Sequence, residues 1–206
     1  QPNCSLRNEN RVGGYMQETK LLTSETWPDF EILFEKHRGV RGGCWCTFHQ
    51  CSSGDYNKMT KDERRLYHQS RVIDGQSTGI LLYEQHVTIG WCQFGPAKSF
   101  EQINRNRAYK ALAISEQQDP IWRITCIFVD RDYRRRGLSE QLLIAALNAI
   151  RSKGGGIVES FPLVVPQVSG PQYTGSVDLY RRLGFAMVGM VGKSTALMRK
   201  EEKQTR

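Results

Sequence analysis

Four arginines, one glycine and one serine stand close together in VDRDYRRRGLSEQLLIAAL, which spans residues 129–147. The apolar stretch before them and the amphipathic stretch after them predict a turn from a buried strand into a helix. The first N–H groups of a helix have no partner within it, and the helix dipole places partial positive charge there. Arg134, Arg135 and Arg136 add charge-assisted hydrogen bonds at phosphate geometry. The turn therefore predicts a phosphate site, and a pyrophosphate would relieve the repulsion among its arginines.

Two small residues complete this predicted phosphate turn, residues 134–139. Gly137 can take left-handed backbone angles, which lets successive N–H groups point at one oxyanion. Ser139 lets a bulky ligand approach the helix, and its hydroxyl can cap the helix or donate. A solvated basic turn that only caps a helix is the alternative. The sequence contains neither G-x-x-x-x-G-K-[ST] nor G-x-G-x-x-G, so the established glycine-rich phosphate loops are excluded.

One carboxylate stands in the middle of the apolar run IVESF, residues 157–161. A carboxylate buried in such a strand needs a partner or a role. Glu159 could act as a general base, bind a cationic substrate or pair with an arginine, and the sequence leaves the three open. Glu84 is a second candidate base, but it falls in the predicted turn between two strands.

The run CWCTFHQC brings Cys44, Cys46, His49 and Cys51 within eight residues. Zinc accepts these ligands, so a small structural zinc module is one hypothesis. Zinc sites usually divide their ligands between two turns, whereas this run alternates like a strand, with Trp45 opposite the first two cysteines. We therefore predict no metal, and a strand in which Cys46 lines the core or a substrate pocket.

Composition limits the class of protein. The chain has 206 residues, 39% of them hydrophobic and 24% charged, which suits one globular domain. A net charge of +8 is compatible with nucleic acid, acidic lipid or a phosphorylated small molecule. No apolar run is long enough to cross a membrane, and the start lacks the pattern of a secretory signal. Six cysteines are too few for a disulfide framework in 206 residues, so we expect a reducing, cytoplasmic location.

The predicted elements must position these residues. They run strand, helix, strand, helix, a group of strands, then strand–helix–strand–helix–strand, which predicts an α/β domain around a mixed sheet. Its central βαβ unit consists of IWRITCIFV, a helix over 139–153 and GIVESFPLVV. We divide the chain into a flexible segment (1–14), a single domain (15–200) and a frayed tail (201–206).

Local signals set several boundaries. Ser24 or Thr26 can cap the first helix, and Gly39 ends it. Thr60 and Glu63 form a capping box at the start of the second helix. GGCWCTFHQ is predicted to be a strand because its residues alternate.

Several motifs together resemble one family. Val129, Tyr133, Arg134 and Gly137 fit V-x-x-x-[YH]-[RQ]-x-x-G-x-[GA], with Ser139 at the last position. LYRRLGF, residues 179–185, is similar to [FY]-Y-x-x-x-G-F. Both patterns are typical of the GNAT superfamily of acyl-CoA N-acyltransferases. GCWC, GWC before G-P and YTGS resemble a bacterial subset of that superfamily.

The resemblance implies a single GNAT-type domain that uses acetyl-CoA as cosubstrate and transfers its acetyl group directly to an amine. It implies contacts to CoA from the strand at Ile127, Phe128 and Val129, one of whose N–H groups would meet the oxyanion. The CoA pyrophosphate would lie on the turn. The members of that turn are Arg134, Arg135, Arg136, Gly137, Leu138 and Ser139. Tyr180 would be the general acid for the CoA thiolate, and Glu159 is the candidate base.

The partners follow from the same resemblance. Tyr173, in the loop before the last helix, would border the acceptor site together with Cys46, and a homodimer is a further expectation. The acceptor stays open among a small amine, an aminoglycoside-like antibiotic, a polyamine and a protein amine. The alternative is a non-catalytic CoA-sensing or RNA-contacting protein on the same fold, although we do not expect nucleic acid as a partner. Its basic surface would comprise Arg64, Arg65, Arg105, Arg107, Arg181 and Arg182.

Overall fold

The structure is a computed structural model that describes residues 10–12, 15–112, 121–164 and 173–204. Its strands are β1 (Asn10–Val12), β2 (Tyr15–Leu21), β3 (Thr78–Glu84), β4 (Val87–Pro96), β5 (Ile121–Val129), β6 (Gly156–Ser160), β7 (Ala186–Val191) and β8 (Thr195–Glu202). Its α-helices are α1 (Trp27–Lys36), α2 (Ser53–Lys58), α3 (Lys61–Ile73), α4 (Glu101–Arg105), α5 (Arg107–Lys110), α6 (Leu138–Ser152) and α7 (Val177–Arg182). None of these helices is long and apolar enough to cross a membrane.

The described strands form one mixed sheet in the order β1-β2-β3-β4-β5-β6-β8-β7. Neighbours from β1 to β5 are antiparallel, β5 and β6 are parallel, and β8 pairs antiparallel with both β6 and β7. Helix α6 connects the parallel pair. The predicted α/β class, mixed sheet and central βαβ unit are therefore confirmed.

The sheet is buried on both faces where it carries the cleft. Ile127 points to the face that packs against α6 and α7, in a core with Leu142 and Tyr180. The next residue, Phe128, points to the opposite face, in a core with Phe34 of α1 and Trp91 of β4. Successive side chains of a strand alternate between faces, so an apolar run without alternation is what a strand buried on both sides requires.

Helix ends agree with the sequence in one case and differ in another. Thr60 and Glu63 form the predicted capping box of α3. Thr26 occupies the cap position of α1 but makes no capping bond, because its hydroxyl donates to the carbonyl of Leu21 at 2.8 Å. Gly39, with φ of 76°, donates its N–H to the carbonyl of Phe34, as a left-handed C-terminal residue does.

The predicted strand GGCWCTFHQ is wrong. Residues 41–50 form successive turns, and Trp45 and Cys46 both have left-handed φ angles, 48° and 53°. Gly42 and Gly43 also have positive φ and bend the chain before it can pair. The Trp45 ring instead stacks on Phe34, with centroids 5.7 Å apart. Glycine turns and aromatic packing override the local alternation.

Two strands extend beyond the predicted domain limits of 15 and 200. Strand β1 lies within the segment 1–14, and β8 extends to Glu202. Residues 1–9, 13–14 and 205–206 lie outside the described residues, so the flexible segment and the frayed tail stay predictions. Residues 113–120 and 165–172 also lie outside the described residues.

Candidate active site

The cleft opens where two parallel strands separate. β5 and β6 pair from Ile121 with Ile157 to Ile124 with Ser160. There β6 ends, while β5 continues for five more residues to Val129. Among the described residues, the edge of β5 toward β6 therefore has no strand beside it beyond Ile124. Crevices outside the carboxyl ends of such strands are where α/β sheets bind ligands.

A cavity of about 390 Å³ lies along this edge and reaches the phosphate turn. It brings together most of the residues that the sequence selected. Its lining includes Ile127, Phe128, Val129, Tyr133, Arg134, Arg135, Gly137, Leu138, Ser139, Glu140, Tyr173, Ser176, Leu179 and Arg182. Arg136, Tyr180, Glu159 and Cys46 are not among the lining residues.

The backbone of the phosphate turn has the geometry that an anion site needs. Arg135 and Gly137 both have left-handed angles, φ 62° and 74°, and Gly137 is the N-terminal cap of the 15-residue helix α6. A Cβ at Gly137 would meet no atom within 4 Å, so a ligand has open access to the backbone there. The N–H groups at the start of α6 are thus available to an oxyanion, as a pyrophosphate requires.

The arginines of the turn divide into two groups. Arg136 donates to both oxygens of Glu84, at 3.1 and 2.6 Å, and lowers the pKa of that buried carboxyl. Arg134 and Arg135 line the cavity, where the Nε of Arg134 donates to the carbonyl of Val129 at 3.1 Å. The predicted repulsion is therefore relieved in part by Glu84. This carboxylate is the last residue of β3, next to the predicted turn.

Tyr180 is fully buried on α7, a helix whose start is capped by the hydroxyl of Ser176. The ring packs edge-on against Phe185, with centroids 5.1 Å apart. Burial, with smaller contributions from Cys92 and Cys126, raises the pKa of Tyr180 well above its ordinary value of 10, an effect that Ser160 opposes. The phenol is therefore neutral at physiological pH and carries a proton that it can donate.

Three buried hydroxyls belong to Ser160, the last residue of β6, to Thr174, which follows Tyr173, and to Tyr180 of α7. None of these hydroxyls has a hydrogen-bond partner among the described residues. Leaving a buried polar group unpaired costs about 1–3 kcal/mol. Such groups are available to a ligand that brings hydrogen-bond acceptors.

The edge of β5 already has one partner. The N–H of Ile127 donates to the carbonyl of Tyr173 at 2.6 Å. The Tyr173 ring stacks over Phe128, and Gly175, with φ of 73°, lies against the side chains of Ile127 and Tyr180. One of the backbone donors expected for an oxyanion on residues 127–129, the N–H of Ile127, is therefore engaged within the chain itself.

Residues 45–185 match the sequence profile of the Acetyltransferase (GNAT) family. The chain belongs to the GNAT acetyltransferase family. The resemblance inferred from the motifs is thereby confirmed, and the chain is an acyltransferase. The narrower bacterial subset stays a prediction. A sequence search of curated proteins gave no match.

Solved GNAT structures share the fold at low sequence identity. An acetyltransferase of the GNAT family from Listeria monocytogenes has a TM-score of 0.59 and 14% identity, over 94% of this chain and 99% of that one. An N-acetyltransferase from Staphylococcus aureus gives 0.55 and 15%, over 91% and 99%. The yncA protein of Salmonella typhimurium, solved with its cofactor acetyl-CoA, gives 0.53 and 13%, over 92% and 95%.

Glu159 of this GNAT domain is held in a buried ion network on the other face of β6 from Ser160. It pairs with Arg123 at 2.9 Å and with Arg199 at 2.6 Å, and the Tyr109 hydroxyl donates to it at 2.9 Å. Of the three roles that the sequence left open for Glu159, the structure contains the pairing with arginine. Two guanidinium groups stabilise the charged carboxylate, so the geometry does not support Glu159 as a base.

Cys46 lies in the core of the GNAT domain. The Trp91 indole donates to its sulfur at 3.1 Å, and its carbonyl accepts from Gln50 and Gln93, both at 3.0 Å. Burial raises the pKa of the Cys46 thiol well above its ordinary value. These contacts make Cys46 an anchor for the 41–50 turns. Among the described residues, no group of three or more His, Cys, Asp or Glu side chains could hold a metal ion.

The scattered arginines of the predicted basic surface are mostly paired with acids. Four of the six form ion pairs with neighbouring carboxylates. The pairs are Arg65 with Glu31, Arg105 with Glu101, Arg181 with Asp178 and Arg182 with Glu140. Such pairs reduce the positive charge available to a polyanion.

Sequence reasoning missed the Arg136–Glu84 pair and the hydroxyls of Ser160 and Thr174. The first joins residues 52 positions apart, so no local pattern indicates it. A signal for Ser160 was present, because alternation places it on the face opposite Glu159 and beside Val158.

Proposed function

We propose that the protein is an acetyl-CoA-dependent N-acetyltransferase that transfers the acetyl group directly from the thioester to an amine. The observation that carries this proposal is the cavity of about 390 Å³ that extends from the phosphate turn along the edge of β5. A ligand with a pyrophosphate at one end and a thioester at the other matches those two ends. Family membership supports the same assignment.

Binding falls to the residues that line this cavity. Acetyl-CoA supplies an activated acyl group with a thiolate as leaving group. Arg134, Arg135 and the N–H groups of residues 137–139 hold the pyrophosphate, because they combine charge with free backbone donors. The backbone of residues 127–129 carries the pantetheine arm, as an added strand would pair with an open edge.

The oxyanion needs a donor at the thioester. Ile127 has its N–H on the open edge, and this N–H now donates to the carbonyl of Tyr173. We propose that Tyr173 releases this N–H when the acyl oxygen arrives, so Tyr173 borders the acyl site. Cys46 is retained only as an anchor of the acceptor side, since it does not line the cavity.

Tyr180 is the proposed general acid for the departing sulfur. A departing thiolate, whose thiol has a pKa of about 8.5, leaves more readily when it takes up a proton, and the neutral phenol of Tyr180 is the candidate donor. Burial keeps Tyr180 protonated, and its hydroxyl has no other partner among the described residues.

The amine loses its proton to solvent in this proposal. Glu159 is committed to Arg123 and Arg199, and Glu140, which lines the cavity, is paired with Arg182. Holding the amine and the thioester in line then supplies much of the rate.

The test is thiol release from acetyl-CoA across a panel of amines, with CoA affinity measured by calorimetry on the same protein. We expect saturable turnover with at least one amine and a fall in kcat of about 100-fold or more for Tyr180→Phe. Turnover that Tyr180→Phe leaves unchanged would remove Tyr180 as the acid. Tight CoA binding without turnover of any amine would instead identify a non-catalytic CoA-sensing protein.

The proposal also covers the location, the oligomeric state and the acceptor. The cytoplasmic location rests on the cysteine pattern, together with the free state of the described cysteines. The homodimer rests on the family resemblance alone. The acceptor is left as an amine without further assignment, and nucleic acid is not proposed as a partner.

A further inference from the structure

Ser160 lies at the end of the pairing between β5 and β6. It is the last residue of β6 and pairs with Ile124 just before β5 and β6 separate. Its side chain is fully buried, on the same face as Val158 and Tyr180.

The hydroxyls of Ser160 and Tyr180 lie within interaction range of each other. Yet neither forms a hydrogen bond with good geometry to any described residue. Two neighbouring buried hydroxyls that are both unpaired differ from the rule that buried polar groups find partners. Each hydroxyl proton can therefore form a well-aligned hydrogen bond only when another group enters the site.

Cys92 of β4 shares a core with Tyr180, and Ser160 of β6 lies on that same face of the sheet. Burial disfavours a phenolate and raises the pKa of Tyr180, whereas Ser160 favours the phenolate. An acid that gives up its proton in such a place leaves a negative charge that only the serine hydroxyl can stabilise among these groups.

We propose that Ser160 is a positioning residue for Tyr180, whose oxygen accepts a hydrogen bond from the serine hydroxyl as the phenol proton moves to the leaving sulfur. This inference rests on the proposed function. The C–N bond to the amine forms as the thioester C–S bond breaks, and the O–H bond of Tyr180 breaks as an S–H bond forms on the departing sulfur, while the proton of Ser160 stays on its own oxygen. The amine nitrogen loses one proton to solvent, and Tyr180 recovers one from solvent after the thiol departs, so the charges balance.

The experiment combines three substitutions at Ser160 with Tyr180→Phe. Ser160→Ala should lower kcat about 10- to 100-fold, the range for a hydrogen bond to a charged group, and leave the Kd for CoA unchanged. Ser160→Thr and Ser160→Val form a matched pair of nearly equal shape, of which only the first keeps a hydroxyl. We expect Thr to retain most of the kcat that Val loses.

The decisive readout is the double variant Ser160→Ala/Tyr180→Phe. If Ser160 acts through Tyr180, removing Ser160 has no further effect on kcat once the phenol is gone. An additive loss in the double variant, or equal loss in Thr and Val, would overturn the inference and leave Ser160 a packing residue. A Tyr180→Phe variant with full turnover would instead overturn the proposed acid itself, so the two failures are distinguishable.

Discussion

The two ends of the cleft differ in how far their donor groups are exposed to solvent. The phosphate turn is exposed, and its donors are backbone N–H groups and arginines that solvent satisfies before a ligand arrives. At the other end, Ser160 and Tyr180 are fully buried, and their hydroxyls have no partner among the described residues. Exposed donors lose little free energy when no ligand is bound, which suits a binding site. A buried end makes each charge expensive and suits control of a proton.

We expect the turn to determine CoA affinity and the buried hydroxyls to act in the proposed proton transfer. Glu159 and Arg136, which the sequence made candidate site residues, are expected to contribute to stability instead. Three sets of substitutions separate these roles.

The largest expected effect is on stability, at Glu159. Glu159→Gln leaves Arg123, which is 2% exposed, without its counter-charge. Breaking a buried pair from one side costs about 3–5 kcal/mol. We expect a loss of this size in the free energy of denaturant unfolding, while the protein that remains folded at low temperature keeps its kcat.

A matched control for Glu159→Gln is Tyr109→Phe, which removes one hydrogen bond from the same carboxylate and should cost about 1 kcal/mol. Full stability of Glu159→Gln combined with loss of kcat would show that this carboxylate serves the chemistry.

The next effect is on CoA affinity, at Gly137. Gly137→Val places a β-branched residue at φ 74°, where it is strained, and crowds the open backbone of the turn. We expect the Kd for CoA, measured by calorimetry, to rise about tenfold or more, since each 1.4 kcal/mol is a factor of ten.

Gly192→Val is the control for Gly137→Val, because Gly192 also has a left-handed φ, 79°, and open space, but lies in the turn between β7 and β8. Both variants should lose similar stability. Equal CoA affinity in the two would reduce the phosphate turn to a helix cap.

The smallest effect separates two adjacent arginines. Arg136→Gln removes the partner of Glu84 and should cost about 1 kcal/mol of stability at pH 7, because the arginine is partly exposed. The folded-state pKa of Glu84 is below its model-peptide value of 4.5, so this contribution is present above about pH 4.5 and is lost as the pH falls through the folded-state pKa. Unfolding curves at pH 7 and pH 3 should show the difference between variant and parent shrinking.

Arg135→Gln should affect CoA affinity rather than stability. It should leave the free energy of unfolding unchanged and raise the Kd for CoA a few-fold, and this rise should be smaller at high salt. A larger loss of CoA affinity in Arg136→Gln than in Arg135→Gln would contradict the division between the two arginines.

The sequence predicted what depends on local order. The buried strand, the turn and the helix that follows it lie next to one another in the chain, so periodicity and one glycine specify them. The capping box at Thr60 is predictable for the same reason. Strand pairing into a mixed sheet followed from the order of elements.

What the sequence could not supply depends on contacts between distant residues. The alternation of residues 41–50 predicted a strand, but glycine angles and the packing of Trp45 on Phe34 decided the local path. Glu159 was ambiguous because its partners, Arg123 and Arg199, lie 36 and 40 residues away. The Tyr173 carbonyl on the Ile127 N–H is likewise visible only once the strands are in place.

The most direct test of the division between binding and chemistry is to measure kcat and the Kd for CoA side by side in Gly137→Val and Tyr180→Phe. For Gly137→Val we expect a raised Kd with a largely retained kcat at saturating acetyl-CoA. For Tyr180→Phe we expect an unchanged Kd with kcat lowered about 100-fold or more. Loss of CoA affinity in Tyr180→Phe with unchanged kcat would contradict it.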